Sequence, residues 1–235
     1  MFDLTGAIEL TAGAGILVGS LAAIQPEPAA RLRIAAILGA WFALVVASAA
    51  LHLFDPHLGL GTPAIGIAVL VPVIVLAYTG LRWPTVNAAV LAAPLALLIG
   101  VNVVRVLGVN FILLYANHRL PAPFAPAAGW GDVFIGLTAL PVAWLASRQA
   151  PGWRAVTLGW NALGLLDLVD AISLGLTSAE DSPVRIFFTD PSMAPMSSLP
   201  WILIPAFLVP LLIGIHFAVF HRLAPERRGT YRLAT

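Results

Sequence analysis

The chain has 235 residues, 60% of them hydrophobic and 10% charged, with a formal net charge of +1 and no cysteine. Together with a mean hydropathy of +0.96, this balance excludes an ordinary soluble domain, and the near-neutral charge without a basic stripe excludes nucleic-acid binding. The absence of cysteine excludes disulfides, thiolate metal sites and cysteine nucleophiles.

A bilayer core of roughly 30 Å takes about 20 helical residues per crossing, and long apolar runs without alternation are unlike barrel strands. Seven such runs predict an all-α, polytopic membrane protein with seven transmembrane helices in a single domain, 1–235. The first run, 6–24, carries Glu9 in its opening turns. The leading Met1-Phe2-Asp3 has no basic n-region, so this run is expected to stay as a structural helix. The second, 34–54, ends in His52, Asp55 and His57, a His-x-x-Asp-x-His pattern. The third, 63–81, enters on proline. The fourth is read as 84–105 or beyond, with Asn102 and Arg105 near its end and Asn110 and His118 following. The fifth, 126–147, opens on Trp130-Gly131-Asp132. The sixth, 155–176, carries Asn161, Gly164, Asp167 and Asp170. A long connection, 177–197, leads to the seventh, 198–220, with His216 and His221 toward its far end. Prolines at the joints, as in Gln25-Pro26-Glu27-Pro28, Asp55-Pro56 and Trp83-Pro84, stop one helix or start the next.

All 12 basic residues are arginine. Arg31, Arg33, Arg82, Arg148, Arg154, Arg222, Arg227, Arg228 and Arg232 fall on one side of a seven-span topology, and Arg119 and Arg185 on the other. The positive-inside bias then places the N-terminus outside and the C-terminus in the cytoplasm, with the arginine-rich tail at the headgroups. Composition rich in Ala, Leu and Arg points to a bacterial inner (plasma) membrane. Trp41, Trp83, Trp130, Trp144, Trp153, Trp160 and Trp201 mostly fall near span ends, as an aromatic belt requires.

Leu-Val-Pro recurs in the third and seventh runs, at Leu70-Val71-Pro72 and Leu208-Val209-Pro210. Leu-Gly recurs in the second and sixth, at Leu38-Gly39 and Leu158-Gly159. These matches suggest repeats 1–83 and 126–225 with helix four as linker, a 3+1+3 arrangement that resembles the topology of the SWEET and PQ-loop transporters. The Pro-Gln dipeptide of the PQ-loop family is absent in that order, since Gln25 precedes Pro26. Two other seven-span families are excluded on chemistry. Without lysine the chain cannot form a retinal Schiff base. Ser48-Ala-Ala-Leu-His52 resembles one element of the membrane hydrolases related to alkaline ceramidases, but His216 and His221 are five apart and miss the partner motif.

Ionisable side chains at membrane depth are costly unless they pair, face the bundle interior or line water. Depth counting puts Asp167, Asp170 and Arg105 in the outer half, with Glu9 and Asp132 entering from the same side. They are therefore expected to share a polar pocket between spans one, four, five and six. A guanidinium bridges carboxylates well, so Arg105 is expected to pair with Asp167 or Asp170. Asp167 and Asp170 would carry a proton or cation, Asn161 and Asn102 would add hydrogen bonds, and four acids against one base favour a neutral or cationic solute over an anion. His52, Asp55, His57 and His118 form a weaker candidate zinc or copper site at the outer face. The expected function is binding, and transport, of a small neutral or cationic solute from the periplasm. The alternatives are a metal- or carboxylate-dependent membrane enzyme on a lipid-like substrate and a non-catalytic sensor or assembly subunit. No phosphate-binding loop and no Ser-His-Asp order at suitable depth supports catalysis.

Overall fold

The structure, a computed structural model, describes residues 2–224. The regular structure of these residues is entirely helical, and seven helices are long and apolar enough to cross a membrane. This is the expected number of spans. They are α1 (Phe2–Ala23), α2 (Pro28–Ala50), α3 (Thr62–Arg82), a composite fourth span (Leu95–Ala116), α7 (Phe124–Ser147), α8 (Trp153–Ser178) and a composite seventh span (Ile204–Leu223). Arg227, Arg228, Arg232 and the end of the second proposed repeat lie outside the described residues.

The fourth span differs from the expected 84–105. Pro84 starts a separate short helix, α4 (Pro84–Ala92), and the chain then breaks at Ala93-Pro94, where Ala93 adopts extended backbone. A residue before proline avoids helical geometry, so Pro94 ends α4 and resets the register. The membrane helix therefore begins at Leu95 as α5 (Leu95–Gly100), tightens into a 3₁₀ segment (Val101–Gly108) and resumes as α6 (Val109–Ala116). Arg105 thus moves from the end of its span to the middle. Side chains at i and i+3 eclipse in a 3₁₀ helix, which stacks Asn102, Arg105 and Gly108 on one face. All three are buried.

The seventh span starts later than 198. The chain turns through Trp201 and Ile202, enters a π-helical turn (Ile204–Leu208) and becomes α9 (Val209–Leu223). Pro205 lies in this turn and Pro210 in the first turn of α9. Proline supplies no N–H to an i−4 carbonyl, and wide turns commonly absorb such gaps. The span is apolar and buried on most of its circumference and packs against α3, α4, α5 and α8. A helix that is hydrophobic all round belongs at the centre of a bundle. Around it the outer helices expose Leu32, Ile37, Ile67, Ile74, Leu137 and Leu140, the surface expected to meet acyl chains.

The connection from Ala179 to Leu203 folds over one end of the bundle. Asp181 accepts hydrogen bonds from the Thr62 N–H (2.7 Å) and the Thr62 hydroxyl (2.6 Å), so it caps the N-terminus of α3 from a distant segment. Gly61 makes this possible. Its φ of +59° is left-handed, and a Cβ there would overlap the Asp181 carboxylate.

Six of the seven tryptophans divide into two groups. Trp83, Trp130 and Trp144 are exposed on the outer surface, as anchors would be. Trp160 is buried and donates to Thr138 Oγ1, whereas Trp201 is buried on Gly6 and donates to Asp3. Trp41 packs on Phe207 with the ring centroids 4.7 Å apart and the planes tilted by 56°. These three hold helices together and correct the simpler belt reading.

Candidate functional site

Arg105 lies at the centre of the bundle with its side chain fully buried. It is ten residues from Leu95 and eleven from Ala116, hence mid-span rather than in the outer half. Its Nε donates to Asp132 Oδ1 of α7 at 2.6 Å, and its Nη2 donates to Asp167 Oδ2 of α8. Nη1 donates to the Gly164 carbonyl at 2.9 Å and lies 3.1 Å from His216 Nε2 of the seventh span. One guanidinium therefore joins three helices to its own. The expected Arg105–Asp167 pair is present, and Asp132 joins it as a second carboxylate.

The sequence reading set His216 apart near the inner membrane surface; it belongs to this cluster instead. A guanidinium has only donors, so His216 Nε2 accepts and Nδ1 carries the ring proton. Nδ1 then donates to Asn161 Oδ1 at 2.7 Å, and Asn161 Nδ2 donates back to the His216 carbonyl at 3.0 Å. Asn161 and His216 are wholly buried, and this closed pair fixes the imidazole against Arg105.

Three glycines on three spans make the approach possible. A Cβ at Gly108 would overlap Asp132, one at Gly131 would overlap Asp167 Oδ1, and one at Gly164 would stand 2.6 Å from His216 Cε1. Small residues let membrane helices close on one another, and here each opens room for one member of the cluster.

Other predicted residues fall elsewhere. At 100° per residue Asp167 lies about 60° from Gly164 around α8 and Asp170 about 120°. That second step carries Asp170 out of the interface, where it is exposed with no ion pair or hydrogen bond among the described residues. Glu9 accepts from Asn110 Nδ2 at 2.9 Å, a separate bridge between α1 and α6. Asn102 is buried one 3₁₀ turn from Arg105, but it donates to the Leu98 and Ile99 carbonyls, and its Oδ1 has no partner. The acids at Arg105 are thus two, where the sequence suggested four.

The histidines of the expected metal site do not converge. Among the described residues no group of three or more His, Cys, Asp or Glu side chains could hold a metal ion. Asp55 Oδ1 instead accepts the backbone N–H groups of His57 (2.8 Å) and Leu58 (3.0 Å). These bonds hold its carboxyl below the ordinary aspartate range and turn it inward to the loop. His52, His57 and His118 stand on loop segments, with His52 and His118 at left-handed φ of 58° and 52°.

Between α3 and α8 lies an apolar cavity of about 160 Å³. Ile65 and Val69 wall it on one side, and Leu168 and Ile172 on the other. Pro205 and Val209 of the seventh span and Met193 and Met196 of the long connection complete its lining. That connection therefore packs against the bundle, tied to α3 by Asp181. Asp132 lines the cavity and also a second chamber of about 20 Å³, which includes Arg105 and shares Phe111, Leu168, Ile204 and Val209. The larger space thus has a member of the arginine cluster, Asp132, in its lining. Asn161 lines neither space.

A family model described as Domain of unknown function (DUF8737) matches residues 62–224. The chain belongs to the DUF8737 family. The matched segment contains Arg105, Asp132, Asp167, Asn161, His216 and the cavity-lining residues other than Phe54 and Pro56, whereas α1 and α2 precede it. No curated protein and no solved structure matches the chain.

Sequence reasoning missed His216 and the depth of Asp132. A usable signal was present: between Pro210 and Phe220, His216 is the single polar side chain in an otherwise apolar run. Such a residue at membrane depth calls for a partner.

Proposed function

We propose that this DUF8737 protein binds a small neutral or cationic solute in the cavity between α3 and α8, and that it serves to move that solute across a bacterial inner membrane. In this reading the N-terminus and the long connection before the seventh span face the periplasm and the C-terminus the cytoplasm, following the arginine bias. The observation that carries the proposal is an apolar space of about 160 Å³ with Asp132 in its lining. Ligand sites characteristically combine apolar walls with a few placed polar groups. Arg105 positions Asp132 and takes only its Oδ1.

A second reading, in which the charges only clamp helices, draws on the closure around Arg105: four of its five N–H groups have partners. Arg105 is indeed a clamp on this geometry. The clamp alone leaves the cavity beside it without a purpose, and this favours the binding reading.

The test fills the cavity. Gly66 lines it, and a Cβ there would meet nothing within 4 Å, so Gly66→Phe projects a ring into the space without a backbone clash. Purified protein in liposomes is screened for uptake of radiolabelled small amines, alcohols and organic cations. Any solute taken up by the wild type is expected to lose at least tenfold in rate with Gly66→Phe, at an unchanged or higher melting temperature. Asp170→Asn, outside the cluster, is expected to transport normally. Equal uptake by Gly66→Phe and wild type contradicts the proposal.

A further inference from the structure

The cavity's chemistry narrows the class of solute. Three ionisable groups line it, Asp132, Glu180 and Asp181, and all are acids; no Arg or His is among its lining residues. Asp181 is already engaged at the cap of α3. At the other end, Asp132 Oδ2 carries no hydrogen bond among the described residues, and one guanidinium faces two carboxylates. With both ionised, the cluster has one negative charge in excess. In a low-dielectric interior such a charge repels anions and favours a cationic partner.

Size sets the rest. A cavity of about 150 Å³ with apolar walls admits a molecule the size of benzene, so about 160 Å³ takes a compact body of that scale. The adjoining chamber of about 20 Å³ holds one water-sized group beside Asp132. A primary ammonium has that size, whereas a trimethylammonium does not. Phe111 lines both spaces, an aromatic residue of the kind that favours a cation nearby.

We propose that the solute is a small apolar primary amine, bound as its ammonium, with the body between α3 and α8 and the head against Asp132 Oδ2. This assignment rests on the binding role proposed above and adds to it a charge, a head size and an orientation.

Four probes share one aromatic body: 2-phenylethylamine, 2-phenylethanol, phenylacetate and phenethyltrimethylammonium. Calorimetric titration of each into the full-length protein in nanodiscs at neutral pH is expected to rank the amine first. It should bind at least tenfold tighter than the alcohol, with no saturable binding of the carboxylate or the trimethyl compound. Asp132→Asn is expected to abolish the preference for amine over alcohol, and Gly66→Phe to abolish binding of both. Alcohol binding as tight as amine binding, or trimethylammonium binding equally well, overturns the assignment while leaving the cavity as a binding site. Absence of saturable binding by all four overturns the amine assignment; if the liposome screen also finds no solute, the binding role falls with it. The ranking on the wild-type protein decides the matter even if Asp132→Asn does not fold.

Discussion

Replacing Arg105 with methionine is expected to lower the stability of the bundle by about 3–5 kcal/mol, the cost of breaking a buried ion pair from one side. The substitution removes the group that joins α7, α8 and the seventh span to the 3₁₀ segment. It leaves Asp132 and Asp167 facing each other without a cation and His216 Nε2 without a donor, and the Gly164 carbonyl keeps only its bond within α8. Arg105→Lys is expected to fail as a rescue. A single ammonium on a flexible stem cannot reproduce a planar fork that serves two carboxylates, a carbonyl and an imidazole together. Adding Asp132→Asn and Asp167→Asn to Arg105→Met is expected to recover part of the loss, because uncharged buried groups no longer need the cation. Melting temperature and monodispersity of the purified proteins measure all three. A triple variant no more stable than Arg105→Met would show that shape, rather than charge, dominates at this position.

The second large effect concerns the glycines. Gly131→Ala is expected to destabilise by about 1–3 kcal/mol or more, the usual range for overpacking, because the new methyl group occupies the space of Asp167 Oδ1. Gly164→Ala is expected to act likewise by pressing on His216 Cε1, where the Cβ would stand at 2.6 Å. Neither neighbour can yield cheaply, since both are held by Arg105. Gly159, on the same helix as Gly164, has nothing within 4 Å of a Cβ, so Gly159→Ala is expected to stabilise by up to about 1 kcal/mol through helix propensity. Thermal unfolding of the three variants side by side separates close approach from a general intolerance of alanine. Equal stability of Gly131→Ala and Gly159→Ala would remove the steric role assigned to Gly131.

The number of spans was legible because an apolar run of about 20 residues is a strong signal in a chain with few charges. The placement of spans four and seven was less so, and both errors trace to proline. Pro94 splits what reads as one continuous run from Pro84 onward, while Pro205 and Pro210 delay the regular part of the last span. Depth counting inherits such errors: a span read as 198–220 sets His216 near its end, whereas in Ile204–Leu223 it stands seven residues from that end, about 10 Å at helical rise. The pairing of Arg105 with Asp167 survived because it depended on scarcity rather than on register. Within the spans Arg105 is the one central base, and a buried guanidinium needs a carboxylate. Asp170 looked equivalent to Asp167 from its spacing alone. What separates them is which side of α8 faces the 3₁₀ segment, and tertiary packing decides that. The His-x-x-Asp-x-His pattern carried metal-site residue types without the geometry, since the backbone N–H groups of the loop had already claimed Asp55.

The cavity wall is the most direct place to test the account. The native chain has no cysteine, so a single introduced thiol can be followed without background. In proteoliposomes, Ala171→Cys, on the cavity wall, is expected to react with a small methanethiosulfonate ethylammonium reagent. Ala139→Cys, fully buried and away from the cavity, is expected to stay unmodified. Adding Gly66→Phe to Ala171→Cys should suppress the reaction. An Ala171→Cys thiol as inert as that of Ala139→Cys would contradict an accessible site above Asp132.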